Sequence, residues 1–151
     1  MRETCMKHIE AYWKRHTVLC NELFRKKEFG EALSGYKEAL HSAEVLNEHI
    51  SDCLRLKIPF IQVYVISCNN LANTYEASGQ IEEAGLMFKR VVYYLLHLTA
   101  NKDLDKDEIQ SELKRATINY MRFVEKVNED NAKQKQLLRV LKEEVFGKHA
   151  N

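Results

Sequence analysis

Apolar residues in the middle of the chain recur at the spacing of one face of an α-helix. One stripe extends from Cys68 to Tyr75 and a second from Ile81 to Leu95, with Gly79 between them. Gly79 suits the position just after a helix, where a positive φ is favourable for glycine. The pattern therefore predicts two helices joined by a turn so short that they pack antiparallel.

A similar pattern precedes this hairpin, with the small residue Ala32 standing 52 positions before Ala84. A bend is expected at residues 27–30. The second helix of this unit is predicted to continue to about Leu56, and Pro59 to open the next helix, as proline does at a first turn. The first helix is predicted to pack through Leu19, Cys20 and Leu23.

A third unit is predicted near the C-terminus. Asp105 and Glu108 form a capping pair for a helix through about Val127. The polar residues 128–131 predict a turn, followed by a last helix that ends near Gly147. This unit is less regular than the others, as is expected of a terminal repeat with a polar outer face.

Two features of the composition support an all-α domain. The chain has 151 residues, enough for one domain with a sizeable core, and only one proline and five glycines, so helix breakers are few. The β-branched residues of the segment 59–66 favour a strand by propensity alone. We expect a helix there because tertiary packing overrides a weak local preference.

Charge and hydropathy exclude several functions. With 23 basic and 22 acidic residues the net charge is +1, which gives no electrostatic reason to expect nucleic acid or an anionic membrane as a partner. We find neither a signal-peptide core nor an apolar run long enough to cross a bilayer. A cytoplasmic location is expected, with the four cysteines reduced.

Candidate chemical sites are few. A zinc site needs three or four ligands, but the sequence offers only separate Cys/His pairs at helical spacing. A single ExxH at residues 38–41 is too little for a di-iron site, and phosphate-loop, dinucleotide and nucleophile-elbow motifs are missing. We expect neither enzyme activity nor a cofactor. The pairs are Cys5/His8, His16/Cys20 and His49/Cys53.

Two segments resemble the tetratricopeptide repeat family. NNLANTYEASGQIEEAGLMFKRVV, residues 69–92, is similar to its signature, and LCNELFRKKEFGEALSGYKEAL, residues 19–40, is a second match that departs at Cys20 and Leu23. The resemblance implies antiparallel helical hairpins, about six helices in all, in a short right-handed superhelix. It implies one domain over residues 1–151, with hairpins at about 3–57, 59–100 and 104–147.

The resemblance also implies a concave surface, lined by the first helix of each hairpin, that binds a peptide or a partner helix. Asn69 and Asn73 lie one turn apart there, and an asparagine amide both donates to and accepts from a peptide backbone. A solvated face, or bonds to nearby carbonyls, is the alternative interpretation. The implied peptide-binding residues are Lys14, Asn21, Phe24, Ile66, Asn69, Asn73 and Glu76, with Thr17, Lys114, Thr117, Met121 and Val124 as further lining.

Some members of this family hold a C-terminal carboxylate with lysines, asparagines and an arginine. Asn21, Asn70 and Lys114 match parts of that set. Thr17 and Ile118 stand where cations are needed, so we do not expect a chaperone tail as the ligand.

Two kinds of function follow as hypotheses. The first is a non-catalytic protein-interaction module, an adaptor or chaperone-like protein that grips a peptide or helix in its groove. The alternative is a structural homo-oligomer or assembly subunit that uses apolar end faces. A short solenoid exposes the surfaces that further repeats would cover, and these surfaces favour self-association.

Overall fold

The computed structural model describes residues 2–146, apart from some side chains in the last turns of the final helix. Within this range the chain is all-helical, as predicted, and contains no strand. The predicted helix end near Gly147 lies outside the described residues. The helices are α1 (Glu3–Arg25), α2 (Phe29–Asn47), α3 (Ile50–Leu56), α4 (Phe60–Ala77), α5 (Ile81–Leu98) and α6 (Lys106–Phe146).

The turn between α4 and α5 confirms the local prediction. Gly79 adopts a φ of 82°, and the backbone N–H of Gln80 donates to the Tyr75 carbonyl at 2.8 Å. This arrangement closes the C-terminus of α4 and reverses the chain within three residues. At the α1–α2 turn the left-handed position is taken by Lys27, with a φ of 63°. Gly30 instead lies inside α2.

Each long helix packs against the next long helix in the chain: α1 against α2, α2 against α4, α4 against α5, and α5 against α6. Two glycines allow close approach. A Cβ added at Gly35 would lie 2.1 Å from the Cys20 sulfur, and one at Gly85 would lie 3.0 Å from a ring carbon of Phe123. The core therefore continues from α1 to the N-terminal half of α6.

The prediction that Leu19 packs in the core is wrong. Leu19 is 63% exposed, whereas Leu71, which stands 52 positions later, is 1% exposed. The two leucines differ in their neighbouring helices. Leu71 is on α4, against which the preceding helix α2 packs, whereas Leu19 is on α1, before which the described chain has no helix. The buried residues of α1 are Met6, Trp13, Thr17 and Cys20.

The second helix of the first unit does not continue to Leu56. It ends at Asn47, whose side-chain nitrogen donates to the Ala43 carbonyl at 2.9 Å, and such a bond competes with the helix ladder. The short helix α3 follows, and the Cys53 thiol donates to the Leu46 carbonyl at 3.4 Å. Pro59 precedes the first residue of α4, so the strand interpretation of this segment is wrong.

The predicted turn at residues 128–131 is also wrong, because α6 continues through it. This segment contains neither glycine nor proline, and Lys133 lies 3.3 Å from Glu129 one turn earlier, a pair that supports a helix. The start of α6 is as predicted. An Asp105 carboxylate oxygen accepts the backbone N–H groups of Asp107 and Glu108, at 2.9 and 3.4 Å.

No helix in the described part of the chain combines the length and the apolarity needed to cross a membrane.

Candidate peptide-binding groove

Two adjoining clefts, each of about 290 Å³, lie between α4 and α6. They share Asn69 and Asn119, so they form one continuous depression, which we call the α4–α6 groove. Its lining comes from α4, α5 and α6: Gln62, Val65, Ile66, Asn69, Asn73, Glu76, Phe88, Glu112, Arg115, Ala116, Asn119, Arg122, Phe123 and Lys126.

An apolar contact between α5 and α6 positions this groove. The rings of Phe88 and Phe123 lie 5.1 Å apart between centroids. Ile109, Ala116 and Phe123 are all buried and stand seven positions apart, so they mark the face of α6 that packs on the core. Because that face is fixed, the polar residues beside it turn toward α4 and line the groove.

Asparagine amides are the most distinctive groups of the groove. Asn69 and Asn73 come from α4, and Asn119 faces them from α6. Within the described residues these three side chains make no hydrogen bond. Local satisfaction by nearby carbonyls, one of the two alternatives above, therefore does not occur for Asn69 and Asn73. Each amide is left with a donor and an acceptor for a ligand.

The charges of the groove are mostly paired. Lys126 lies 3.8 Å from Glu76, and Arg115 lies 3.7 Å from Glu112. Arg122 has no acidic partner within the described part of the chain. The groove therefore presents one uncompensated cation beside its row of amides.

The candidates on α1 are placed elsewhere. Lys14 is exposed, Asn21 accepts a hydrogen bond from the Tyr36 hydroxyl, and Phe24 packs edge-on against Phe29 at 5.4 Å between centroids. None of the three lines the α4–α6 groove. The structure therefore does not bring these three residues together with Ile66, Asn69, Asn73 and Glu76, which line the groove.

Two polar candidates prove to be oriented toward the interior. Thr17 is 8% exposed, so its assignment to the concave surface is wrong. Its hydroxyl and the amide nitrogen of Asn70 are buried, and neither has a hydrogen-bond partner. Asn70, which matched part of the carboxylate-binding set, therefore does not present its nitrogen to a ligand in the groove.

The residues of α6 that were predicted as lining lie outside the α4–α6 groove. Lys114 and Thr117 border a separate shallow cleft, Met121 is 54% exposed outside the groove, and Val124 packs against the core. The residues that line the groove were missed, although their spacing of three and four positions was visible in the sequence. They are Glu112, Arg115, Asn119, Arg122 and Lys126.

The Cys/His pairs do not assemble into a larger cluster. Across the described residues, no three His, Cys, Asp or Glu side chains come together as metal ligands. In the His16/Cys20 pair, the His16 ring nitrogen lies 3.6 Å from the Glu38 carboxylate.

The buried cysteines are not activated thiols. Burial raises the pKa of the Cys20 thiol. Burial also raises the pKa of Cys53 to about 11 and that of Cys68 to about 12. Thiols with such pKa values stay protonated and are poor nucleophiles at neutral pH.

Comparison with known proteins gives one match. The model of the family described as "Protein of unknown function (DUF2753)" matches residues 11–145, which include all of α2–α5 and most of α1 and α6. No curated protein and no solved structure matches the chain. The chain therefore belongs to the family of proteins of unknown function DUF2753.

Proposed function

We propose that this chain is a non-catalytic, cytoplasmic interaction module that binds an extended segment of another protein in the α4–α6 groove. The observation that carries the proposal is the set of three asparagine amides, Asn69, Asn73 and Asn119, which are unbonded within the described chain. A peptide backbone offers the alternating donors and acceptors that such amides match.

The order of helix packing supports a tetratricopeptide-like arrangement. In this arrangement α1 and α2 form one hairpin, α4 and α5 form the next, and α6 takes the position of the first helix of a third unit. The groove then lies between consecutive first helices, on the concave side of a short right-handed superhelix. The position of the groove between α4 and α6 is the observation that supports this arrangement.

The proposed mechanism combines polar and apolar contacts. The amides hold the ligand backbone, and each hydrogen bond contributes about 0.5–1.5 kcal/mol net. Ile66, which is 40% exposed at the edge of the groove, covers an apolar ligand side chain. Lys14, Asn21 and Phe24 lie outside the groove, and this mechanism does not require them.

Affinity capture from native cell extract tests the proposal. The full chain is compared with the Asn69→Ala/Asn73→Ala variant and with a control, Asn128→Ala/Asn131→Ala, whose residues are exposed on α6 beyond the groove. We expect a partner that wild type and the control retain and the groove variant loses. Equal capture by all three proteins would place the binding surface elsewhere.

A second candidate function is self-association through the free face of α1. Val18 and Leu19 are 67% and 63% exposed on adjacent positions of that helix. Leu19→Lys should then turn a dimer at micromolar concentration into a monomer in sedimentation experiments. Leu54→Lys serves as the control, since Leu54 is a 44% exposed leucine on α3. A wild-type protein that sediments as a monomer excludes this candidate.

A further inference from the structure

A second cleft, of about 550 Å³, lies where the C-terminal ends of α2 and α5 meet the N-terminal part of α4. It shares no residue with the α4–α6 groove. We call it the tyrosine cleft, and its polar side chains belong to Glu44, Asn47, Glu48, Tyr64, Tyr94, His97 and Asn101. Its volume lies in the range of small-ligand sites, which is roughly 300–1,000 Å³.

The aromatic wall of the tyrosine cleft is held in place by hydrogen bonds. The rings of Tyr64 and Tyr94 lie 4.0 Å apart between centroids. The Tyr94 hydroxyl donates to the Asn47 side-chain oxygen at 2.6 Å, and the Tyr64 hydroxyl accepts from Arg90 at 3.0 Å. The Tyr64 ring is buried and supports the half-buried Tyr94 ring, which is the pre-organised aromatic surface that the wall offers a ligand.

The electrostatic field of the tyrosine cleft favours a cation. Two helices, α2 and α5, end beside it, and each C-terminus carries partial negative charge, against the one positive N-terminus of the seven-residue α3, which begins at Ile50. The Glu44 carboxylate is compensated by Arg90 at 2.9 Å. Glu48 has no basic partner within the described residues and adds a full negative charge at the rim, where the exposed His97 also lies.

We propose that the tyrosine cleft binds an alkylammonium group, supplied by a free amine or by a lysine side chain of another protein. The methylene groups lie against Tyr64, Tyr94 and the neighbouring Ile50. The ammonium group approaches Glu48 and the two helix C-termini. Aromatic faces attract cations, and the same field disfavours anions.

Titration followed by NMR tests this proposal with the 151-residue chain. The probe is n-butylammonium chloride, with n-butanol as the uncharged control. We expect saturable shifts of the backbone amides of His97, Ala100 and Asn101 with the ammonium probe only. Glu48→Gln should raise the dissociation constant at least fivefold. Glu143→Gln, a substitution far along α6, should leave it unchanged.

Three results would overturn the proposal: an absence of saturable shifts, equal binding of n-butanol, or an unchanged dissociation constant for Glu48→Gln. A second arm identifies the source of the ammonium group by comparing n-butylammonium with a capped Gly-Lys-Gly peptide. Tighter binding of the peptide supports a lysine of a partner protein, and tighter binding of the amine supports a free ligand. Asn69→Ala/Asn73→Ala should bind both probes as wild type does.

Discussion

The ammonium group of Lys126 on α6 lies 3.8 Å from the carboxylate of Glu76 on α4, across one end of the α4–α6 groove. Both side chains reach solvent, so the pair adds little to stability. The pair matters for the groove itself, because its two opposite charges neutralise each other at the end of the groove next to Asn73. The uncompensated charge then belongs to Arg122, one turn earlier on α6.

The first prediction concerns the two asparagines of α4. Asn69→Ala/Asn73→Ala should raise the dissociation constant of the captured partner roughly tenfold or more, since two hydrogen bonds of about 1 kcal/mol each are lost. The free energy of unfolding should change by less than about 0.5 kcal/mol, as is usual for surface substitutions. Isothermal titration calorimetry and urea denaturation measure the two quantities. A large loss of stability would mean that these amides support the fold instead.

The second prediction concerns Arg122. Arg122→Gln should weaken binding of a partner segment that carries acidic side chains, and should reduce the dependence of affinity on salt, since one exposed charge is removed. Arg139→Gln is the matched control, because Arg139 is an exposed arginine of the same helix outside the groove. The assignment fails if both variants keep the wild-type affinity and salt dependence.

The third prediction tests the close contact between α1 and α2. Gly35→Ala should destabilise the protein by about 1–3 kcal/mol, because its Cβ would lie 2.1 Å from the Cys20 sulfur and must displace it. Gly30→Ala in the same helix meets no atom within 4 Å and should be neutral or slightly stabilising. Urea denaturation compares the two, and equal midpoints would contradict the packing described here.

The fourth prediction concerns alkaline pH. Burial raises the pKa of the Cys68 thiol from 9.0 to about 12 and that of the Tyr64 phenol from 10.0 to about 12. Between these values the folded chain keeps protons that the unfolded chain loses, so stability is full below pH 9 and falls as the pH rises. The expected slope is about 1.4 kcal/mol per pH unit for each group.

Urea denaturation at a series of pH values measures this loss. Cys68→Ala should make the fall above about pH 9 shallower by up to about 1.4 kcal/mol per pH unit, since one buried thiol is removed, while the onset stays near pH 9 because Cys53 also titrates from 9.0 when unfolded. Stability that stays constant between about pH 9 and pH 11 would show that these groups are not buried as described.

Local sequence rules predicted the α4–α5 hairpin well. Gly79, the cap at Asp105 and the start of α4 after Pro59 depend on residues close in the chain, and their positions were confirmed. Leu19 could not be placed in this way. Its pattern matches that of Leu71, but burial depends on whether another helix packs in front, which the helical period does not encode.

The α6 side of the groove was missed for a related reason. Residues 128–131 are polar, and a polar stretch predicts a turn in a compact hairpin but is equally compatible with an exposed helix. The repeat frame of α1 and α4 predicts the exposed face of α6 only if α6 packs as those helices do. The buried positions Ile109, Ala116 and Phe123 show instead which face packs on α5 and which lines the groove.

Photo-crosslinking in cells tests the central claim most directly. A photoreactive amino acid replaces Ile66 in the groove or, as the control, Leu54 on α3, since these side chains are similarly exposed at 40% and 44%. The account predicts that the Ile66 position crosslinks to a partner protein and that the adduct disappears when Asn69→Ala/Asn73→Ala is added. An adduct formed at Leu54 but not at Ile66, or one that survives the double substitution, would contradict binding in the α4–α6 groove.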